Sequence, residues 1–110
     1  MNNYGYVYLI CDAANDTFKI GVTRNKESNY RLKKLQTGNS TELFIVSEYY
    51  TEYPFRLEKM LHGYFTDKHE YNEWFKLDSN EVSNFVSICE MLENNIKALK
   101  DNPYFMKNIR

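Results

Sequence analysis

The chain is short of the residues that mark several common classes of protein. Its 110 residues include only 2 Cys, 2 Pro and 4 Gly. Cys11 and Cys89 form no C-x-x-C pair, which argues against a structural zinc site, and two free thiols are the default in a reducing cytosol. No apolar run approaches the ~18 residues that a membrane span requires, and no signal-peptide segment is present. We therefore expect a cytoplasmic protein with no membrane segment.

An excess of basic residues is also lacking. The 14 Lys and Arg are balanced by 15 Asp and Glu, for a net charge of −1, so composition does not indicate a nucleic-acid binder. The charges are unevenly distributed, because residues 19–34 hold six cations against the single acid Glu27, whereas acids dominate residues 67–93. This separation allows a one-sided electric field on a neutral protein, although a solvated helix face has the same composition.

Aromatic residues are abundant, with 10 Tyr and 7 Phe. Tyrosine packs its ring while it presents a hydroxyl, so such a chain can build a core with a polar rim, although an AT-rich coding sequence would also enrich Tyr. Apolar residues make up 43% of the chain, which is enough for one core. We expect a single domain at residues 1–100 and a C-terminal tail at 101–110.

Hydrophobic periodicity predicts an α+β fold, with a small three-stranded antiparallel or mixed sheet flanked by helices in the order β-β-α-β-α-(β)-α. Polar segments at 12–17 and 66–72 are predicted loops, and Ser79 and Asn80 are candidate N-caps. Residues 18–23 alternate and predict a strand with one solvated face. The predicted strands are 6–11, 18–23 and 43–50, the helices are 30–36, 54–65 and 81–99, and residues 73–77 form a short strand or an extended apolar plug.

Two tripeptides on the first two predicted strands carry a family resemblance. Tyr6-Val7-Tyr8 is followed after ten residues by Lys19-Ile20-Gly21. Together with later features in order, this pattern resembles the GIY-YIG nuclease superfamily, and within it the phage-type subfamily with Lys-Ile-Gly in the second motif. The resemblance covers about residues 5–78. The later features are Arg31 in the following helix, the run Leu35-Gln36-Thr37-Gly38-Asn39, Glu58 leading into Leu61-His62, and Glu73-Trp74-Phe75.

The resemblance implies a DNA endonuclease that depends on Mg²⁺ or Mn²⁺. Tyr8 would sit beside the attacking water and help to activate it. Arg31 would bind the scissile phosphate, a role that suits its planar fork of donors. Glu58 would be the lone carboxylate ligand of the metal, and Mg²⁺ tolerates this because it keeps most of its waters.

The second motif departs from the commoner pattern of the superfamily. Lys19 stands where most members have a second Tyr, and it is a candidate cation that would favour the phenolate form of Tyr8. Leu35 stands where many members have His. His62, one turn after Glu58, is a candidate replacement as proton donor or phosphate contact, or else a hydrogen-bonding residue within the fold. Trp74 and Phe75 are expected in the core.

The remaining basic and polar residues of this half of the chain are candidate DNA contacts. Arg24, Lys33 and Lys34 would touch flanking phosphates, and Asn39 would contact the DNA backbone. Two other hypotheses stay open: a catalytically inactive module of the same fold that binds nucleic acid or protein, and a homodimer through helix 81–99. The location would be the host cell cytoplasm if the chain is viral.

Overall fold

Two runs of aromatic and β-branched residues pair as an antiparallel hairpin at the centre of the sheet. The computed structural model describes residues 4–24, 28–38 and 41–100, and of residues 28–31 and 100 the backbone alone. The hairpin register sets Tyr8 opposite Gly21. The connecting turn contains Asp16, whose positive φ of 56° is tolerated because Asp can occupy the left-handed region.

The observed elements confirm the α+β class and the antiparallel sheet flanked by helices. The 54–65 helix and the strand at 43–50 were predicted to within a residue. In chain order the elements are β1 (Gly5–Asp12), β2 (Thr17–Thr23), α1 (Ser28–Thr37), β3 (Leu43–Thr51), α2 (Pro54–Tyr64), a 3₁₀ turn (Thr66–Lys68), β4 (His69–Tyr71), β5 (Trp74–Phe75), α3 (Ser79–Ser83) and α4 (Phe85–Lys100).

The sheet of the described residues has five strands, in the order β3-β1-β2-β5-β4, so the prediction of three strands is wrong. Strand β4 falls in a segment that was predicted to be a loop, because all three of its residues are polar or exposed and show no apolar alternation. Strand β5 has only two residues, both buried. A tight turn joins them, with Asn72 at a φ of 50°. Strand β5 is identified only by its pairing with β2, and β4 only by its pairing with β5.

Both faces of the sheet are covered. One face packs on α2 and α4 through a cluster that includes Leu57, Leu61 and Phe85, whereas the other packs on α1 through Leu32 and Leu35. The expectation that β2 has one solvated face is therefore wrong. Helix α2 covers one face of β2, and on the other face the Tyr8 and Trp74 rings lie beside Gly21 and Lys19, so even the polar positions of β2 are buried.

The helix predicted at 81–99 is two helices in the structure. Helix α3 begins after Asp78, whose side chain accepts a 2.8 Å hydrogen bond from the Glu81 amide while the Asp78 amide donates to the Glu81 carboxylate. Asp78 is thus the N-cap in place of the predicted Ser79 or Asn80. Asn84 separates α3 from α4. A continuous apolar spacing crosses this break, so periodicity alone did not reveal it.

Helix α4 is anchored to β3 by a half-buried carboxylate. The Glu93 side chain accepts hydrogen bonds of 2.6 Å from the hydroxyls of Tyr49 and Thr51. Burial, together with the hydrogen bond and charge of Glu93, raises the pKa of Tyr49. The core face of α4 is taken up by Phe85, Cys89, Leu92 and Ile96. A homodimer through helix 81–99 stays a prediction. It would use the side of α4 that does not face the core.

No helix in the described ranges is long and apolar enough to cross a membrane. The predicted tail at residues 101–110 lies outside the described residues.

Candidate functional site

The ring of Tyr8 lies across the backbone of Gly21. Tyr8 is 1% exposed, and a Cβ atom added to Gly21 would lie closest to its hydroxyl and 2.5 Å from its ring Cζ. Gly21 has no positive φ, so its backbone conformation does not require glycine. Glycine is required because the Tyr8 ring lies where a Cβ atom would be. The two tripeptide motifs therefore meet directly, and the buried Tyr8 hydroxyl lies over Gly21.

Lys19 lies on the same face of β2 as Gly21, and it pairs with an acidic residue 54 positions later in the chain. Its ammonium forms an ion pair with the carboxylate of Glu73 and lies 5.9 Å from the centre of the Trp74 ring. Lys19 is 8% exposed, so the lysine predicted on a solvated strand face is buried. Trp74, its partner on β5, lies beside it. Trp74 and Phe75 are in the core, as expected.

The backbone amide and carbonyl of Ile20, which point away from β1, form hydrogen bonds with Glu73 and His62. Strand β5 pairs with β2 only at Phe18 and Lys19, so the edge of β2 is open to other partners from Ile20 onward. The Ile20 amide donates to the Glu73 carbonyl at 3.2 Å, and His62 Nε2 donates to the Ile20 carbonyl at 3.0 Å. The hydroxyl of Tyr8, the Lys19–Glu73 pair and His62 thus surround Ile20 and Gly21.

Glu58 lies on a helix that packs on the other face of the sheet. This helix, α2, packs through Leu57 and Leu61 on the face opposite the Tyr8 ring. The Glu58 side chain is 19% exposed and lies one turn before His62, at 4.0 Å between carboxylate and imidazole. His62 contacts the Ile20 carbonyl and the buried ring of Phe75, so the Glu58–His62 side of α2 faces the edge of β2.

The donor set suits a hydrated metal ion bound through one carboxylate. Glu58 is a partly exposed carboxylate, and among the residues that the structure describes no group of three or more His, Cys, Asp or Glu side chains gathers to hold a metal. Mg²⁺ is commonly held by one or two carboxylates while it keeps several waters, so Glu58 fits such an ion.

The predicted DNA contacts are only partly within the described side chains. Arg24 is exposed at the end of β2, with its guanidinium 5.1 Å above the Phe55 ring. Lys33 and Lys34 are exposed on α1. Arg31 lies in α1, but its side chain is outside the described side chains, and Asn39 lies outside the described residues.

Glu73 was not among the candidate site residues. Its proximity to a buried Trp-Phe pair was visible in the sequence, but its partner Lys19 is 54 residues away and the pairing depends on the β2–β5 register. No local signal in the sequence identifies the pair, because Lys19 was expected on a solvated face and its need for an acidic partner follows only from its burial.

The fold and the site define a small α+β domain in which two paired strand motifs build a polar cluster at a sheet edge, flanked by a carboxylate-bearing helix. The family model of the T5orf172 domain matches residues 5–90, which is most of the chain. The chain belongs to this family, a phage-associated family of the nuclease-related group. No curated protein and no solved structure matches it.

Proposed function

We propose that this chain is a metal-dependent DNA endonuclease of the GIY-YIG type, with Lys-Ile-Gly as its second motif. The observation that carries the proposal is the contact between the two motifs, in which the Tyr8 ring and hydroxyl lie over Gly21, where the edge of β2 is not paired with β5. Membership of a nuclease-related, phage-associated family supports it. The phosphodiester would bind along this edge, between α1 and α2.

In this proposal each candidate residue has a separate role in hydrolysis. The Tyr8 hydroxyl orients the attacking water and accepts or relays its proton. The Lys19 ammonium, on the same face, provides the positive charge that favours the phenolate form of Tyr8. Arg31 binds the non-bridging oxygens of the scissile phosphate. His62 holds the edge of β2 through the Ile20 carbonyl.

A metal held by Glu58 would supply charge neutralisation at the leaving oxygen. Glu58 carries this role because it is the carboxylate of α2 that faces the edge of β2, next to His62. The neighbouring imidazole keeps the carboxylate in a polar setting.

Flanking phosphates would be bound by Arg24, Lys33 and Lys34, with Asn39 at the DNA backbone. With Arg31 on the scissile phosphate, four phosphate contacts predict a slope of about −3.6 in a plot of log affinity against log salt concentration. The net charge of −1 offers no further non-specific attraction, so binding is expected to be weak above physiological salt.

Nicking of a supercoiled plasmid in Mg²⁺ or Mn²⁺ tests the proposal. Tyr8→Phe keeps the buried ring and removes only the hydroxyl, and Glu58→Gln keeps the size of the side chain and removes only its charge. Loss of a catalytic group costs about 10²- to 10⁴-fold in rate. The matched controls are Tyr64→Phe and Glu90→Gln, both at exposed positions.

The endonuclease proposal stands if the wild type and both controls nick the plasmid while Tyr8→Phe and Glu58→Gln do not. Equal nicking by all five proteins would show that the activity lies elsewhere or belongs to a contaminant. A wild type that fails to nick at every metal and salt concentration would overturn the proposal.

The second candidate function is a DNA- or protein-binding module that keeps this fold without turnover. One observation favours it: the position usually held by a second Tyr is Lys19, whose charge is already engaged by Glu73. Binding of plasmid DNA without nicking by the wild type would select this function.

A further inference from the structure

We propose that Glu73 is the positioning residue of Lys19, whose side chain it holds in place on the face of β2 that carries Gly21. The inference rests on the proposed phosphodiester cleavage, and it adds a residue to which neither the resemblance nor the family assigns a role. Glu73 does not act on the substrate in this proposal. It acts through the lysine.

The burial of Lys19 requires such a partner. Only 10% of its side chain is exposed, and its cross-strand neighbours are Ile10 on β1 and Trp74 on β5. A buried ammonium without an opposite charge is costly, and it would either lose its proton or turn towards water. The Glu73 carboxylate is in direct contact with Lys19 Nζ. The ring of Trp74, 5.9 Å away, adds a weaker attraction for the cation.

The backbone of Glu73 is fixed, so its side chain can hold another residue in place. The Glu73 carbonyl accepts from the Ile20 amide at 3.2 Å, and the next residue, Trp74, is paired with Lys19 in the β2–β5 register. Asn72, in the left-handed region, closes the turn before it. The carboxylate is thereby attached to the same stretch of β2 that carries the site.

Exposure differs between the two partners in a way that suits positioning. The Glu73 side chain is 45% exposed and that of Lys19 is 10% exposed, so the acid lies on the solvent side of the ammonium. A carboxylate there opposes the approach of a phosphate and cannot itself help to bind DNA. Its replacement by a neutral group is therefore expected to impair turnover without weakening substrate binding.

A double-mutant cycle on the steady-state kinetics of nicking tests this role. Glu73→Gln alone is expected to lower kcat at least tenfold with KM for DNA unchanged or lower. In a Lys19→Met background the same substitution is expected to change kcat less than twofold, because there is no ammonium left to position. Glu70→Gln on β4, an exposed acid nearby, serves as the control and is expected to match the wild type. The inference is overturned if the fold-loss of kcat in the double variant equals the product of the fold-losses in the two single variants.

A second measurement needs no activity. An amine-acetylating reagent attacks neutral amines, and mass spectrometry of digested protein gives the rate at each lysine. Lys19 is expected to react at least fivefold faster in Glu73→Gln than in the wild type, and Glu73→Asp is expected to restore slow reaction. Lys97, half-exposed on α4, is the internal reference and is expected to react at one rate in all variants.

The two arms separate failure of this inference from failure of the proposed function. If the wild type and Glu73→Gln nick DNA equally well and Lys19 is labelled at the same rate in both, the positioning role is overturned and the endonuclease proposal stands. Absence of nicking by the wild type overturns the endonuclease proposal and, with it, any catalytic use of the Lys19–Glu73 pair.

Discussion

Substitution of Gly21 by alanine is expected to destabilise the protein through Tyr8. The added Cβ would lie 2.5 Å from Cζ and 2.8 Å from Cε1 of that ring, with the hydroxyl closer still. Tyr8 is 1% exposed and packs with Ile10 and Trp74, so the ring has no free space into which it can turn. The clash must therefore be relieved by a shift of packed side chains or of the strand.

Overpacking of this kind costs about 1–3 kcal/mol, and the smaller entropy of an unfolded chain with Ala recovers up to ~1 kcal/mol. We expect a net loss of about 2 kcal/mol in the free energy of unfolding, which lowers the Tm of a chain of this length by ~8 °C. Gly63→Ala is the matched control. An added Cβ there meets nothing within 4 Å, so the same change in helix α2 is expected to stabilise by ~0.5–1 kcal/mol.

Urea unfolding of Gly21→Ala, Tyr8→Leu and the double variant attributes the loss to the ring. Leucine lacks the atoms that the new methyl group would meet, so in the Tyr8→Leu background Gly21→Ala is expected to cost less than ~0.5 kcal/mol, a change typical of a site without such a clash. The reasoning fails if Gly21→Ala is as stable as the wild type, or if it costs the same in both backgrounds.

Three further expectations concern groups outside the site. Glu93→Gln should destabilise by ~1–3 kcal/mol in urea unfolding, because the carboxylate accepts two short hydroxyl hydrogen bonds from β3; wild-type stability would contradict the anchoring of α4. Burial, and to a smaller extent nearby acids, raises the pKa of Cys89 to about 12. At pH 8 a maleimide should therefore label the partly exposed Cys11 first and Cys89 only on unfolding. Equal labelling rates for the two cysteines would refute this. Burial tends to raise the pKa of Asp12, but hydrogen bonds from Asn15 and Thr41 outweigh it and lower that pKa. The folded-state pKa is therefore below the unfolded value of 3.8, so Asp12 stabilises the fold above pH ~4 and loses this contribution as the pH falls through its folded pKa. Acid unfolding of Asp12→Asn should show a weaker pH dependence than the wild type, and Asp16→Asn, at an exposed position in the same turn, should show none of this change.

Local sequence was sufficient where a signal repeats within a few residues. The aromatic and β-branched runs predicted β1, β2 and β3, because such residues favour extended, buried backbone. Pro54 correctly marked the start of α2, since its fixed φ suits the first turn of a helix. The two tripeptide motifs were also correctly placed on adjacent strands, where Tyr8 meets Gly21.

Local sequence was insufficient where a residue's surroundings come from distant parts of the chain. Strand β4 has three exposed residues and no pattern, so it is a strand only because β5 pairs with it. Asn84 breaks a helix across an unbroken apolar spacing, and the capping box at Asp78 decides where α3 begins. Neither feature changes the hydrophobic periodicity from which elements are predicted.

The sequence by itself determined the α+β class, the central hairpin and the membership of a nuclease-related family, because short-range propensity and motif order carry all three. Only the tertiary structure decided the environment of Lys19. Its side chain alternates with apolar neighbours as an exposed strand residue would, yet it is buried where β5 pairs with β2 and sets Trp74 beside it, and the fold supplies Glu73 from 54 residues away. Burial and charge pairing depend on what lies across space, and no local pattern encodes that.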